Sequence, residues 1–459
     1  MPDDAPPERA ARSTWGLTGL AVAGLTAFLS LFVMVGADCY WLVAMGDHIA
    51  GEGRVPDGIP FAAAPTDGWP NVLVLAQLWM AGLHGGGDAA LPLTQIVVDA
   101  VALCLLAVGA RRAGASDRAT AGVLVLVGLG SLASLAIVRL QLFSLIPFAL
   151  LLLLLRSDEE MPSRRIWLLP VLVVLWSNLH GAVLLGVTVA GGYLIFSRIR
   201  LRPVETCAVG VVTLLAMLVT PAGLRTVPYY LGVLENEAAQ RGSGLWARPS
   251  LGNPFDVLMI VVGVLLLVSA LRRRLLVWEY VVMLGLAVGT VTAARHGIWL
   301  LMAAAAPAAV SLTRRPLTAP VRVPARPVLV TVAASVVLAC VLVLPRGDDV
   351  LPADPELVEE VVVASGDRVV LAPEPLAESL ALAGLTVWAA NPIDAFSARD
   401  QEAFLDFLEG DDGAAGAVEG SDAVVVEDGS DAADLMDSVD GFDTRPLTEG
   451  WTLYLRQDG

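Results

Sequence analysis

The 459-residue chain contains no lysine: its 29 basic residues are all arginine. Cysteine is scarce too. Cys39, Cys104, Cys207 and Cys340 show no paired spacing, and three of them lie inside apolar runs, so neither a disulfide framework nor a thiolate metal cluster can be assembled from them. Charged residues make up only 16 % of the chain against 56 % hydrophobic, with a mean hydropathy of +0.70, which excludes an ordinary soluble domain of this length. Also missing are a Gly-Lys-Ser/Thr phosphate loop and a dinucleotide fingerprint, so neither a nucleotide-driven pump nor a soluble-type nucleotide-sugar enzyme is supported.

What is present is a series of apolar stretches near 15–37, 90–110, 119–138, 140–155, 166–179, 181–197, 204–220, 256–271, 275–293, 297–312 and 327–345. They read as a polytopic α-helical membrane protein with about 11 crossings, within a range of nine to twelve. The first stretch lacks a convincing small-residue cleavage site and reads as a retained helix.

Charge sets the orientation. Arginines cluster before the first stretch (Arg9, Arg12) and after the second (Arg111, Arg112, Arg118), fourth (Arg156, Arg164, Arg165), sixth (Arg198, Arg200, Arg202), eighth (Arg272 to Arg274) and tenth (Arg314, Arg315, Arg322, Arg326). Every second loop is basic, which places those loops and residues 1–14 in the cytoplasm. Loops 38–89 and 221–255 then lie outside, on the same side as the segment 346–459. That segment holds 27 acids against five arginines, within a formal net charge of −17, and so offers nothing to nucleic acid. Valine-rich stretches at Val361–Val363, Arg368–Ala372, Thr386–Trp388, Ala423–Val426 and Thr452–Leu455 read as strands, and 375–383, 400–409 and 431–439 as helices, which together predict an extracytoplasmic α/β domain. Its acids read as a solvated surface.

Three pairs of apolar stretches carry polar residues at the joint: Arg139 and Gln141, Asn178 and His180, Arg295 and His296. A charge at membrane depth costs about 2.5–3.5 kcal/mol on insertion scales. Any one of these is an ordinary hairpin-turn residue reaching for the headgroups. All three turns, however, fall on the outer side, where the first loop also opens with Asp38, Trp41, Asp47 and His48. The expectation is a single outer site at the lipid boundary, with Asp38 and Asp47 as catalytic acids and Trp41, His48, Arg139, Gln141, Asn178, His180, Arg295 and His296 binding substrate. Arginines clamp phosphate, and a carboxylate can take the proton of an attacking hydroxyl.

The run Asp38-x-x-Trp41-x-x-x-x-Gly46, the segment Val55-Pro56-x-x-x-Pro60-Phe61, Arg139-x-Gln141-x-Phe143-Ser144, Asn178-x-His180-Gly181 and the late Ala294-Arg295-His296 resemble bacterial integral-membrane glycosyltransferases of the GT-C fold, relatives of the dolichyl-phosphate-mannose protein mannosyltransferases. The resemblance implies a polyprenyl-phosphate sugar donor, a cell-envelope glycan or protein acceptor, and an acidic first loop acting as base. It demands no cofactor, although the acids would suit a divalent cation. The chain departs from the pattern at Ile59, where an acid would precede Pro60-Phe61, and at Pro70–Leu75, where a further acid is expected. The alternative is therefore a catalytically inert relative that binds an envelope glycan or a partner. A transporter would call for inverted halves with matching broken helices, and the chain shows no such symmetry.

Overall fold

The computed structural model describes residues 15–242, 244–314 and 323–457. Arg9, Arg12, Arg315 and Arg322 of the orientation argument lie outside the described residues. Apolar helices dominate up to residue 343. By length and composition Ala90–Arg112, Val183–Arg200, Pro254–Leu271 and the stretch beginning at Ala325 are long enough to cross a bilayer, and Gly16–Ser30, Pro203–Ala216 and Val277–Thr292 are shorter apolar helices. Helix Gly297–Ser311 is buried almost throughout because alanines let its neighbours approach closely, and it packs against Asp117–Gly130, Pro254–Leu271 and Val277–Thr292.

The apolar pair 119–155 does not turn simply. After Asp117–Gly130 and the short helix Leu132–Ala136, residues Ile137–Val138 run extended and pair in parallel with Met34–Val35, in the register Met34 with Ile137 and Val35 with Val138. Gly36 N–H donates to the Val138 carbonyl at 2.9 Å, and a Cβ at Gly36 would stand 2.7 Å from that oxygen. Only glycine allows the strands to lie this close. The pairing delivers Asp38 and Arg139 to one place although 100 residues separate them.

The span 38–89, expected as a loop, contains two helices, Ala37–Glu52 and Val74–His84. The first begins where Gly36 leaves the extended conformation and ends at Gly53 in the left-handed region (φ 67°). Gly46 seats it on the second: a Cβ there would be 2.1 Å from the Gln77 carbonyl oxygen. Loop 221–255 likewise contains the helices Thr226–Glu235 and Glu237–Arg241.

Beyond residue 350 the chain forms a four-stranded sheet in the order Val370–Leu371, Ala423–Glu427, Trp451–Arg456, Phe442–Pro446, with the first pair parallel and the others antiparallel. Helices Leu376–Leu382, Ala398–Glu409 and Asp431–Asp437 fall where the sequence places them. Val361–Val363, expected as a strand, lies in helix Pro355–Ser365 instead. Asp354 caps its N-terminus by accepting from the Glu356 and Leu357 N–H groups at 2.7 and 3.3 Å, and the buried residues Leu357, Val361 and Ser365 recur every fourth position, so capping and amphipathic burial outweigh the β preference of three valines. Thr386–Trp388 forms only isolated bridges, yet these tie the sheet to the span 38–89: Ala63 N–H donates to Val387 O at 2.8 Å and Val387 N–H to Phe61 O at 2.9 Å. Phe442–Pro446, with no periodic signal, takes its conformation from its partner strand.

Candidate active site

A cavity of about 580 Å³ opens where the polar turns meet the segment 373–409. Of the ten residues singled out in the sequence, seven line it: Asp38, Trp41, Arg139, Gln141, His180, Arg295 and His296. Three do not. Asp47 sits nine residues beyond Asp38 on the same helix, about half a turn round at 100° per residue, and is exposed. His48, the next residue, is half-buried and does not reach the cavity. Asn178 closes its own turn, donating through Nδ2 to Val174 O at 2.8 Å and to Val219 O at 2.7 Å.

Asp38 stands in the first turn of its helix and accepts the Leu140 N–H through Oδ2 at 3.0 Å. Burial raises its pKa, while Arg139 and that N–H pull it back down. His180 is fixed by a relay in the turn between two helices. The Trp176 indole donates to Ser144 Oγ at 2.6 Å, and Ser144 Oγ bonds His180 Nδ1, also at 2.6 Å. With the Ser144 hydroxyl donating to Nδ1, Nε2 is the donor of the neutral ring. Burial, helped by the Arg295 charge, pushes the imidazole down to about 3. His296 Nδ1 bonds the Gly289 carbonyl at 3.0 Å. Arg295 lies over Trp246, with Cζ 3.5 Å from the ring centroid. Two further lining groups, Gln141 Nε2 and the Tyr230 hydroxyl, are buried without a protein partner and are available to a bound molecule.

The segment after residue 370 adds residues that the sequence reading counted among surface acids or passed over. Glu374, Asn391 and Asp394 line the cavity, and Glu378 is fully buried behind them. Glu378 Oε1 accepts from Asn391 N and Nδ2 at 3.1 and 2.8 Å. Burial and the neighbouring Glu374 push its pKa up to about 8. Burial also pushes Asp394 up to about 6, although Trp69 Nε1 donates to its Oδ2 at 3.2 Å. Trp69 packs edge-on to both Trp41 and Tyr229. The available signals were the proline-flanked Pro373-Glu374-Pro375 and Asn391-Pro392-Ile393-Asp394, acids on rigid chain between apolar runs.

A divalent cation would need several hard oxygen ligands. Among the described residues, Asp406, Glu409 and Asp411 bring three carboxylate oxygens within 4.8 Å of one another, but Arg241 already pairs with Asp406 at 2.7 Å and Glu409 at 3.1 Å. That arginine answers the charge which a metal would otherwise neutralise.

No sequence-family model and no curated protein matches the chain. Solved structures do. The archaeal oligosaccharyltransferase AglB of Archaeoglobus fulgidus, in complex with an inhibitory peptide and a dolichol-phosphate, superposes with a TM-score of 0.54 at 10 % identity, over 89 % of this chain and 69 % of its own. ArnT of Cupriavidus metallidurans bound to undecaprenyl phosphate gives 0.52 at 13 % identity, over 96 % and 97 % of the two chains, and its apo state gives 0.51 at 14 %. At such identities the likeness is one of backbone architecture, and it agrees with the motif resemblance: the chain has the GT-C fold of integral-membrane glycosyltransferases.

Proposed function

We propose that the protein transfers a sugar from a polyprenyl-phosphate carrier to a hydroxyl of a cell-envelope glycan or protein. The single observation that carries this reading is the meeting of an acid and two arginines, drawn from three separate stretches of chain, in one cavity that also has apolar walls. Arg139 and Arg295 suit a phosphate, and Leu184, Leu185 and Val233 suit the first isoprene units behind it. Undecaprenyl phosphate and dolichol-phosphate in the structural neighbours support this assignment of the donor.

In the proposed reaction Asp38 receives the acceptor hydroxyl proton as the new glycosidic bond forms. The bond between the anomeric carbon and the phosphate oxygen breaks, and its electron pair stays on the phosphate, where Arg295 and His180 Nε2 stabilise the added charge. The protein sits in the plasma membrane with about 11 crossings, residues 1–14 in the cytoplasm and the α/β region 346–459 outside, as the alternating arginines require.

The test is turnover of a panel of polyprenyl-phosphate sugars by the full chain in lipid nanodiscs, with membrane extracts as acceptor. Wild-type protein should consume one of them, and Asp38→Asn should lose at least about tenfold in rate, roughly 1.4 kcal/mol of barrier. If no sugar is released while the lipid still binds, the inert, glycan-binding reading replaces this one.

A further inference from the structure

The resemblance to known membrane glycosyltransferases leads one to look for a second acid in the first outer segment, where Ile59 and Pro70–Leu75 stand instead. The tertiary structure brings a carboxylate to the cavity from more than 300 residues away. Glu374 lies on the strand-to-helix connection between Val370–Leu371 and Leu376–Leu382, and the latter helix packs on Ala37–Glu52, which carries Asp38. The Glu374 side chain is exposed and lines the cavity.

We propose that Glu374 is the second catalytic carboxylate of this site, lining the same cavity as Asp38 and Arg139 and carried there by the connection between Val370–Leu371 and helix Leu376–Leu382. The inference rests on the transfer reaction proposed above and names the group that completes it.

Three observations carry it. First, Asp38, Arg139 and Glu374 all line the same cavity, and Arg139 acts electrostatically on both carboxylates. Second, Glu374 leads into helix Leu376–Leu382, whose fully buried Glu378 accepts both the backbone and the side-chain N–H of Asn391, so the connection that carries Glu374 is fixed to a buried framework. Third, the segment itself is locked to the first outer segment through the Phe61, Ala63 and Ala64 backbone bonds to Val387 and Trp388 and through Trp69 to Asp394. Crowding by the surrounding protein and the Asp38 charge both raise the Glu374 pKa, as expected of two carboxylates lining one cavity.

In the transfer step the O–H bond of the acceptor breaks, oxygen bonds to the anomeric carbon, and the phosphate leaves with the electron pair. The released proton enters the Asp38/Glu374 pair and returns to water through the cavity after product departs. One member accepts the proton while the other orients the acceptor hydroxyl or a sugar hydroxyl.

The experiment compares wild type, Glu374→Gln, Glu374→Asp and Arg295→Ala as full-length chains in nanodiscs, with undecaprenyl phosphate alone as the binding probe and the active donor from the panel as the kinetic one. Glu374→Gln removes a charge of the same sign as the phosphate and should tighten undecaprenyl phosphate several-fold, the opposite direction to Arg295→Ala. It should lower kcat tenfold or more with little rise in KM for the donor, and Glu374→Asp should recover part of the rate. Wild-type affinity and turnover in Glu374→Gln would overturn the inference alone. So would a rate loss that tracks a fallen melting temperature and is not rescued by aspartate, since that marks a structural role. If undecaprenyl phosphate fails to bind wild type, the transfer reaction itself is wrong and the inference falls with it.

Discussion

Arg295 stacks on Trp246, its guanidinium carbon 3.5 Å from the indole centroid, so a charge in a turn between two apolar helices is supported by an aromatic ring from the span 221–255. This contact fixes the plane in which the guanidinium presents its donors. Arg295→Lys keeps the charge but loses both the stacking and the fork of N–H groups. It should weaken undecaprenyl phosphate by about tenfold, and Trp246→Ala by about two- to fivefold, in line with about 0.5–1 kcal/mol for a cation–π pair. Equilibrium binding to nanodisc-held protein at fixed salt reads both.

Ser144 is fully buried and stands between Trp176 and His180. Replacing it with alanine leaves the Trp176 N–H unpaired in an apolar setting, at a cost of about 1–3 kcal/mol. It also frees the imidazole to change tautomer. Ser144→Ala should therefore unfold at lower denaturant and, at temperatures where it remains folded, turn over more slowly. A stable variant with wild-type turnover would show that the relay does not orient His180.

Gly36→Ala is a test of how Asp38 reaches Arg139. The added methyl carbon would lie 2.7 Å from Val138 O and 3.1 Å from Arg139 Cγ, so the Met34–Val35 and Ile137–Val138 pairing must open. A loss of about 1–3 kcal/mol in stability is expected, as for other over-packed sites. Phosphate affinity should fall along with it because Arg139 moves. The measurement pairs a melting temperature with a lipid-phosphate titration.

Glu378 gives a pH signature. Its folded pKa is raised to about 8, above the ordinary glutamic acid value, so the folded protein holds a proton that the unfolded chain releases near pH 4.5. Its contribution is fully present below that pH and is lost as pH rises through 8. Wild-type thermal stability should decline across this window, and Glu378→Gln should flatten the decline while keeping an oxygen for the Asn391 donors. Unfolding curves recorded from pH 5 to 9 decide it. A steeper decline in the variant would contradict the assignment.

Much of the cavity can be read in the primary structure because a polar residue interrupting an apolar run is rare and expensive. Arg139, Gln141, His180, Arg295 and His296 stand out for that reason, and Asp38 and Trp41 by their place directly after the first run. Asp47 and His48 belong to the same short stretch, but helix Ala37–Glu52 carries them about 14–15 Å along its axis from Asp38, which linear proximity does not reveal. Asn178 shares the signature of an intruding polar group and spends its amide on two backbone carbonyls. Val361–Val363 misled for a related reason: β preference is a weak local bias that a capped, amphipathic helix overrides.

The order of residues by itself determined that this chain is a membrane protein, which turns carry the polar groups, and that arginines alternate between loops, because apolar run length and charge are local quantities. Only the tertiary structure decided that Glu374, Asn391 and Asp394 join Asp38 and Arg139, since the flanking prolines mark rigid chain but do not say which distant surface it meets. What selects them is a long-range packing event, the backbone pairing of Phe61–Ala64 with Val387–Trp388 and the seating of helix Leu376–Leu382 on helix Ala37–Glu52. Contacts of that kind depend on surfaces that exist only after both helices have formed.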